Sequence, residues 1–130
     1  MKAEERLPRR ILVVEDDEDM RENLRRILVG AGYEVSLAED GVEAIALLGG
    51  QPCHLVLTDL VMPGMNGLEL LKKIRQQDQN LPVVFLSAFG DRATFAKATE
   101  LGAVDFVTKP FRSSSILGVI QRTLGSRSTK

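Results

Sequence analysis

Residues 11–17 read Ile-Leu-Val-Val-Glu-Asp-Asp, so four consecutive apolar residues are followed at once by three carboxylates. A short, continuous apolar run is typical of a parallel strand that is covered on both faces. Runs of the same kind occupy residues 55–57 and 83–86, while residues 34–38 and 104–107 mix apolar and polar residues as edge strands do. The pattern predicts five short strands, three of them central and two at the edges.

Segments with helical periodicity alternate with these strands. The first has an acidic first turn and carries apolar residues at helical spacing as far as Leu28. Further helices are predicted at residues 42–48, after the N-cap residue Asn66, at residues 91–101, and after the capping serines 113–115. This strict alternation predicts an α/β fold with a doubly wound, five-stranded parallel sheet in the order 2-1-3-4-5.

The composition is that of one soluble globular domain. Of the 130 residues, 44% are hydrophobic, and 17 basic residues nearly balance 18 acidic ones. This balance gives no electrostatic case for direct nucleic-acid binding. No apolar run approaches the roughly 20 residues that span a bilayer. The one cysteine, Cys53, excludes an internal disulfide framework and favours a reducing compartment. We therefore expect a cytoplasmic domain without membrane contact.

We expect this domain to occupy residues 10–124. Residues 1–9 form a charged N-terminal extension, followed by too few apolar residues for a signal peptide. Residues 125–130 are small, polar and basic, as in a frayed tail or the start of a linker. The residues after 109 suffice for one helix, so we expect no output domain within the chain.

The ends of four predicted strands carry polar groups that suit one site. Ligands of open α/β sheets bind outside the carboxyl ends of the strands. There this chain has the acidic run 15–17, then Asp59, Ser87 and Lys109. Converging carboxylates raise one another's pKa unless a cation lies among them, and either Lys109 or a metal ion meets that need. Oxygen ligands without a neighbouring His or Cys favour Mg²⁺. A carboxylate beside Mg²⁺ and a lysine is placed to attack a phosphoryl group.

The sequence resembles the receiver domains of response regulators in two-component signalling. The resemblance covers residues 10–124 and is carried by four motifs, each at a predicted strand end. They are ILVVEDD at residues 11–17, LTDLVMPGMNG at 57–67, LSA at 86–88 and KPF at 109–111. No single motif is strong, but the four in this order are highly specific. The resemblance implies a flavodoxin-like fold and a phosphoacceptor function.

By the same resemblance, Asp59 is the phosphoacceptor and Lys109 contacts the phosphoryl group. The implied ligands of Mg²⁺ are Glu15, Asp16, Asp59 and the backbone carbonyl of Val61. The run of three acids also allows the pair Asp16-Asp17. The family register favours Glu15-Asp16, which leaves Asp17 at the start of the first helix, where a carboxylate caps.

The resemblance also implies a conformational switch. Ser87 is the switch hydroxyl, and Phe106 holds the position of an aromatic that changes rotamer, although packing alone explains Phe106 equally well. The peptide bond of residues 109–110 is expected to be cis. Ala88 leaves access to the acyl phosphate. We predict that changing Phe89 alters the dephosphorylation rate without abolishing phosphorylation.

The leading hypothesis is a cytoplasmic phosphorelay receiver. A sensor histidine kinase or a histidine phosphotransfer protein would supply the phosphoryl group to Asp59 in a Mg²⁺-dependent step. Phosphorylation would remodel the fourth helix, fifth strand and fifth helix, toward an output domain, a downstream protein or a phosphorylation-dependent dimer. Such a protein is a signalling module and not an enzyme, beyond catalysing its own phosphotransfer and autodephosphorylation.

Three other functions remain as alternatives. An aspartyl-phosphate phosphatase of the haloacid-dehalogenase type carries a second Asp two residues after its nucleophile, where this chain has Val61, which moves no protons. A flavodoxin-like ligand binder needs a phosphate-cradling loop after the first strand, where three carboxylates would repel phosphate. A phosphorylation-independent adaptor is disfavoured by the intact set of site residues.

Overall fold

The computed structural model describes residues 8–88 and 92–128, in which five strands alternate with five helices. The elements in order are β1 (Arg10–Val14), α1 (Glu18–Gly30), β2 (Glu34–Ala38), α2 (Gly41–Gly50), β3 (Leu55–Asp59), α3 (Gly67–Gln77), β4 (Val83–Ala88), α4 (Arg92–Glu100), β5 (Asp105–Lys109) and α5 (Ser113–Ser128).

The strands form one parallel sheet in the order β2-β1-β3-β4-β5. The predicted strand order is therefore confirmed, with β2 and β5 at the edges. Val14 pairs with Thr58, Asp59 with Leu86, and Ala88 with Lys109. Because all strands run the same way, this register brings their carboxyl ends to one edge of the sheet.

Alternate residues of each strand face two separate cores. One core packs the sheet against α1 and α5, with Leu24 of α1 and Ile116 and Ile120 of α5 fully buried. The other packs the opposite face against α2, α3 and α4 and includes Phe85 and Leu70. Both faces are covered, which explains why the central strands are apolar at nearly every position.

Side-chain caps begin three of the helices. The side chains of Asp17 and Asp40 accept hydrogen bonds from the backbone N–H groups of Met20 and Glu43, each at 2.8 Å. Asn66 caps α3 in a reciprocal capping box with Glu69. These caps satisfy N–H groups that lack partners within the helix, and they fix where each strand-to-helix loop ends.

Several predicted boundaries differ from the structure. Gly49 and Gly50, expected to end the second helix, form its last two residues. The serines 113–115 lie inside the first turn of α5 instead of capping it, and α5 continues through Ser128, past residue 124. Lys109 is the last residue of β5, which begins one residue later than predicted.

The described helices are short, and the longest, α5, has 16 residues. No helix within residues 8–88 and 92–128 has both the length and the apolar character that a bilayer crossing requires.

Candidate functional site

Three of the predicted site residues lie at the carboxyl ends of adjacent central and edge strands. Asp59 ends β3 and is only 5% exposed, while Ser87 near the end of β4 is 3% exposed. Lys109 ends β5 and is half-buried. The sheet register therefore places a carboxylate, a hydroxyl and an ammonium side by side, as the strand-end pattern predicted.

Lys109 joins two of the carboxylates. Its Nζ atom lies 2.6 Å from Oδ1 of Asp59 and 3.3 Å from Oε1 of Glu15. Burial lowers the pKa of Lys109, but hydrogen bonds and attraction from Asp59 and Glu15 outweigh it, so the pKa is raised above its ordinary value. The ammonium is therefore charged at neutral pH and offsets part of the negative charge of the site.

Glu15 is the most deeply buried acid of the site, with 1% of its surface exposed. Burial, followed by hydrogen bonding to Asp59, raises the pKa of its carboxyl from 4.5 to about 7, against the lowering effects of the Asp17 amide and Lys109. The N–H of Asp17 donates to Oε2 of Glu15 at 3.1 Å. Lys109 alone thus leaves this carboxylate incompletely neutralised.

Glu15, Asp16 and Asp59 each offer one carboxylate oxygen, and these oxygens lie within 4.8 Å of one another. An all-oxygen donor set with an exposed Asp16 and two buried partners fits a hard cation such as Mg²⁺, which prefers carboxylates together with water. The raised pKa of Glu15 is the second sign of fit, since a cation would relieve it. These residues are therefore suited to hold Mg²⁺.

Asp17 has a different environment from the other two acids of the run. Its carboxylate caps α1 by accepting the Met20 N–H. The group of converging oxygens within the described residues includes Glu15 and Asp16 but not Asp17. Of the two metal pairs that the sequence allowed, the structure brings Glu15-Asp16 together with Asp59. The carbonyl of Val61 stays a prediction, although the Val61 side chain points outward, with 74% of the residue exposed.

The Oγ atom of Ser87 is buried and has no hydrogen-bond partner among the described residues. Buried hydroxyls are nearly always satisfied, so this one needs an explanation. Ser87 pairs with Thr108 in the register, one residue before Lys109. Within the described residues, the hydrogen-bonding capacity of this hydroxyl at the end of β4 is therefore unused. The Lys109–Pro110 peptide is cis, as the resemblance implied.

Phe106 packs between two other phenylalanines on the α4 side of the sheet. Its ring stacks on Phe85 at a centroid distance of 6.0 Å and meets Phe95 of α4 at 4.6 Å. Phe106 thus links β5 to α4, and whether it changes rotamer stays a prediction. Phe89 lies outside the described residues, as does the side chain of Ala88.

Arg21 is a site neighbour that the sequence analysis missed. Its Nη1 atom donates to the backbone carbonyl of Glu15 at 2.8 Å and to that of Asp16 at 3.4 Å. The available signal was its spacing, because a residue four positions after the N-cap Asp17 lies one turn into the helix, above the preceding loop.

Comparison with known proteins identifies the family. The family model for the response regulator receiver domain matches residues 11–121. The chain belongs to this family. Receiver domains of response regulators are signalling proteins, and the match favours the phosphoacceptor hypothesis over a haloacid-dehalogenase type phosphatase.

Two curated relatives are considerably longer than the region that matches this chain. The response regulator MprA of Mycobacterium sp. (strain KMS) is 38% identical over 118 residues, which are 91% of this chain and 51% of MprA. The DNA-binding transcriptional regulator NtrC of Salmonella typhimurium is 37% identical over 114 residues, or 88% of this chain and 24% of NtrC. The chain therefore spans about half the length of MprA and a quarter of that of NtrC.

A solved structure of similar size confirms the fold. The chemotaxis protein CheY4 of Vibrio cholerae matches with a TM-score of 0.86 and 30% identity, covering 89% of this chain and 98% of that one. The receiver domain thus has the same architecture as a protein that consists almost wholly of the matched region.

Proposed function

We propose that this receiver domain accepts a phosphoryl group on Asp59 from a phosphohistidine in a Mg²⁺-dependent step and thereby regulates a partner or an output domain. The observation that carries the proposal is the contact of Lys109 Nζ with Asp59 Oδ1 at 2.6 Å, beside carboxylate oxygens of Glu15 and Asp16. This arrangement lies at the edge of the sheet where open α/β proteins bind ligands.

The proposed reaction is an in-line transfer between two side chains. A carboxylate oxygen of Asp59 forms a bond to phosphorus, and the phosphorus–nitrogen bond of the donor phosphohistidine breaks. The departing imidazole nitrogen keeps the electron pair, and Asp59 becomes an acyl phosphate. Lys109 contributes an ammonium beside the negative charge that spreads over the phosphoryl oxygens.

Glu15, Asp16, Asp59 and the carbonyl of Val61 would hold Mg²⁺ in this proposal. When bound, the ion neutralises charge on the carboxylates and on the phosphoryl oxygens. The three side chains differ in exposure, since Glu15 and Asp59 are buried while Asp16 faces solvent. The exposed side of the site, at Asp16, would therefore remain accessible to the donor.

Ser87 and Phe106 would convert phosphorylation into a change of surface. The Ser87 hydroxyl, which has no partner among the described residues, would donate to a phosphoryl oxygen once the acyl phosphate forms. Phe106 contacts α4 through Phe95, so a new rotamer of Phe106 would alter the packing of α4 on β5. We therefore assign the output surface to α4, β5 and α5.

The donor in this proposal is a sensor histidine kinase or a histidine phosphotransfer protein in the cytoplasm. The target is an output domain or a downstream protein, with a phosphorylation-dependent dimer as one form of the response. MprA and NtrC, which extend well beyond the matched region, support an attached output domain. Beyond its own phosphorylation and dephosphorylation, the domain would turn over no substrate.

Intact-protein mass spectrometry after incubation with acetyl phosphate tests the proposal. We expect a single phosphoryl adduct in wild type with Mg²⁺ and none in EDTA or in Asp59→Asn. Asp19→Asn is a matched control, since Asp19 is an exposed carboxylate on α1 outside the acidic cluster. An adduct that persists in Asp59→Asn, or none under any condition, would contradict the proposed function.

A further inference from the structure

We propose that Arg21 is a positioning residue for Mg²⁺, because it holds the backbone of the β1–α1 loop so that the carboxylates of Glu15 and Asp16 converge on Asp59. The inference rests on the proposed function, since it concerns the metal-binding step of that reaction. Arg21 itself contributes no atom to the acidic cluster.

The contacts of Arg21 tie together the residues that supply two of the three carboxylates. Nη1 donates to the carbonyl of Glu15 at 2.8 Å and to that of Asp16 at 3.4 Å. The backbone N–H of Arg21 donates to the carbonyl of Asp17 at 2.9 Å, so the base of the side chain is fixed by the first helical turn. A rigid helix thus positions a guanidinium group over the loop.

The strand holds the loop from the other side. The N–H of Glu15 donates to the carbonyl of Ala38 in β2 at 3.0 Å. Glu15 is therefore fixed through its N–H by the sheet and through its carbonyl by Arg21. A residue whose backbone N–H and carbonyl are both hydrogen-bonded holds its side-chain carboxylate in a fixed position.

Arg21 contacts the backbone of the loop and not its carboxylates. Because its guanidinium group occupies the carbonyls of Glu15 and Asp16, those oxygens are engaged. The side-chain carboxylates remain free to bind a cation.

If Arg21 acted only through its charge, removing it would change the Mg²⁺ affinity in the direction opposite to that expected of a positioning residue. A guanidinium beside the cluster repels a cation, so its removal would tighten Mg²⁺ binding if Arg21 acted only through its charge. Positioning predicts weaker binding after removal, since the carboxylates would no longer converge. The direction of the change in Kd therefore separates the two roles.

Isothermal titration of Mg²⁺ into wild type, Arg21→Met and Arg21→Lys measures that direction. We expect Arg21→Met to weaken Mg²⁺ binding by about tenfold or more, the usual effect of losing a group that orients metal ligands. Arg21→Lys keeps the positive charge and an N–H donor, so its Mg²⁺ affinity should lie between those of wild type and Arg21→Met. Arg26→Met is the control, since Arg26 lies on the same helix, 75% of its side chain is exposed, and it pairs with Glu22. The Mg²⁺ affinity of Arg26→Met should match that of wild type.

Amide hydrogen exchange without metal supplies a second readout. The N–H of Asp17, which bonds to Glu15 Oε2, should exchange faster in Arg21→Met, while amides in β4 remain as slow as in wild type. Uniformly faster exchange would mean a general loss of stability and would contradict a positioning role.

The outcomes separate this inference from the proposed function. Wild type that binds no Mg²⁺ overturns both. Wild type that binds Mg²⁺ and accepts phosphate, with equal or tighter affinity in Arg21→Met, overturns the role of Arg21 alone. If Arg21→Met does not fold, Arg21→Lys decides: weaker binding than wild type supports the inference, and unchanged binding overturns it.

Discussion

The hydroxyls of Thr58 and Ser87 lie near the ends of neighbouring strands but differ in their hydrogen bonds. Thr58 Oγ1 donates to the carbonyl of Asp59 at 3.0 Å, whereas Ser87 Oγ has no partner within the described part of the chain. Both residues are buried. Within the described residues, the Thr58 hydroxyl therefore contributes a stabilising hydrogen bond and the Ser87 hydroxyl contributes none.

We predict that Ser87→Ala leaves the free energy of unfolding unchanged or slightly raised, because it removes an unsatisfied buried hydroxyl. Thr58→Val keeps the shape of the threonine side chain and should lower the free energy of unfolding by about 1 kcal/mol, because the hydrogen bond is lost. Urea unfolding of both variants measures this difference. A Ser87→Ala variant that loses as much stability as Thr58→Val would show that Ser87 has a structural partner after all.

The buried Glu15 predicts a pH dependence of stability in the absence of metal. Its pKa rises from 4.5 to about 7 on folding, so between these values the folded protein binds a proton that the unfolded chain releases. The stability that the protonated Glu15 carboxyl contributes is therefore fully present below pH 4.5 and is lost as the pH rises through about 7.

The Glu15→Gln variant isolates this effect from the other titrating groups. Measured in EDTA, the free energy of unfolding of wild type minus that of Glu15→Gln should fall as the pH rises from 4.5 to 7 and then level off. Parallel pH profiles for the two proteins would contradict a raised pKa at this position.

The start of α3 shows how tightly the elements around the acceptor pack. A Cβ atom on Gly67 would lie 2.6 Å from the backbone oxygen of Asp59 and 2.7 Å from Cε1 of Phe85. The N–H of Gly67 donates to the carbonyl of Leu60 at 2.9 Å, so α3 begins directly against the end of β3. Only glycine allows this approach of helix to strand.

We predict that Gly67→Ala destabilises the domain by about 1 to 3 kcal/mol, as overpacking of a core does. It should also slow phosphorylation by acetyl phosphate, because the displaced backbone is that of Asp59. Gly49→Ala is the matched control, since no atom other than those of its chain neighbours and its own helix backbone lies within 4 Å of its Cβ position among the described residues. It should raise stability by about 0.5 to 1 kcal/mol. Equal stability of the two variants would contradict the close approach.

The helix boundaries that the sequence missed lie at exposed residues, where local start and stop signals are weak. Gly49 and Gly50 are ordinary stop signals, yet α2 contains both. Serines favour helix caps, but those at 113–115 fall inside α5. Helix propensities are weak compared with the burial of an apolar face, and a helix that packs on the sheet extends past a local stop.

In the whole molecule, the parallel sheet determines where the candidate site forms. The strand order was predictable because alternating apolar runs and helical periods allow few topologies. The acidic cluster, Asp59, Ser87 and Lys109 were predictable because polar residues at strand ends must meet at one edge. The contacts of Arg21, Gly67 and Phe95 were not predictable, since they depend on loop paths and side-chain conformations that no spacing rule fixes.

The central claim is that Asp59 becomes an acyl phosphate, and reductive mapping tests it most directly. Borohydride reduces an acyl phosphate to a primary alcohol, so a phosphorylated aspartate is recovered as homoserine. After incubation with acetyl phosphate, reduction and proteolysis, tandem mass spectrometry should find homoserine at position 59 with Mg²⁺ and aspartate there in EDTA. Homoserine at any other aspartate, or its absence from position 59 in the Mg²⁺ sample, would contradict the account.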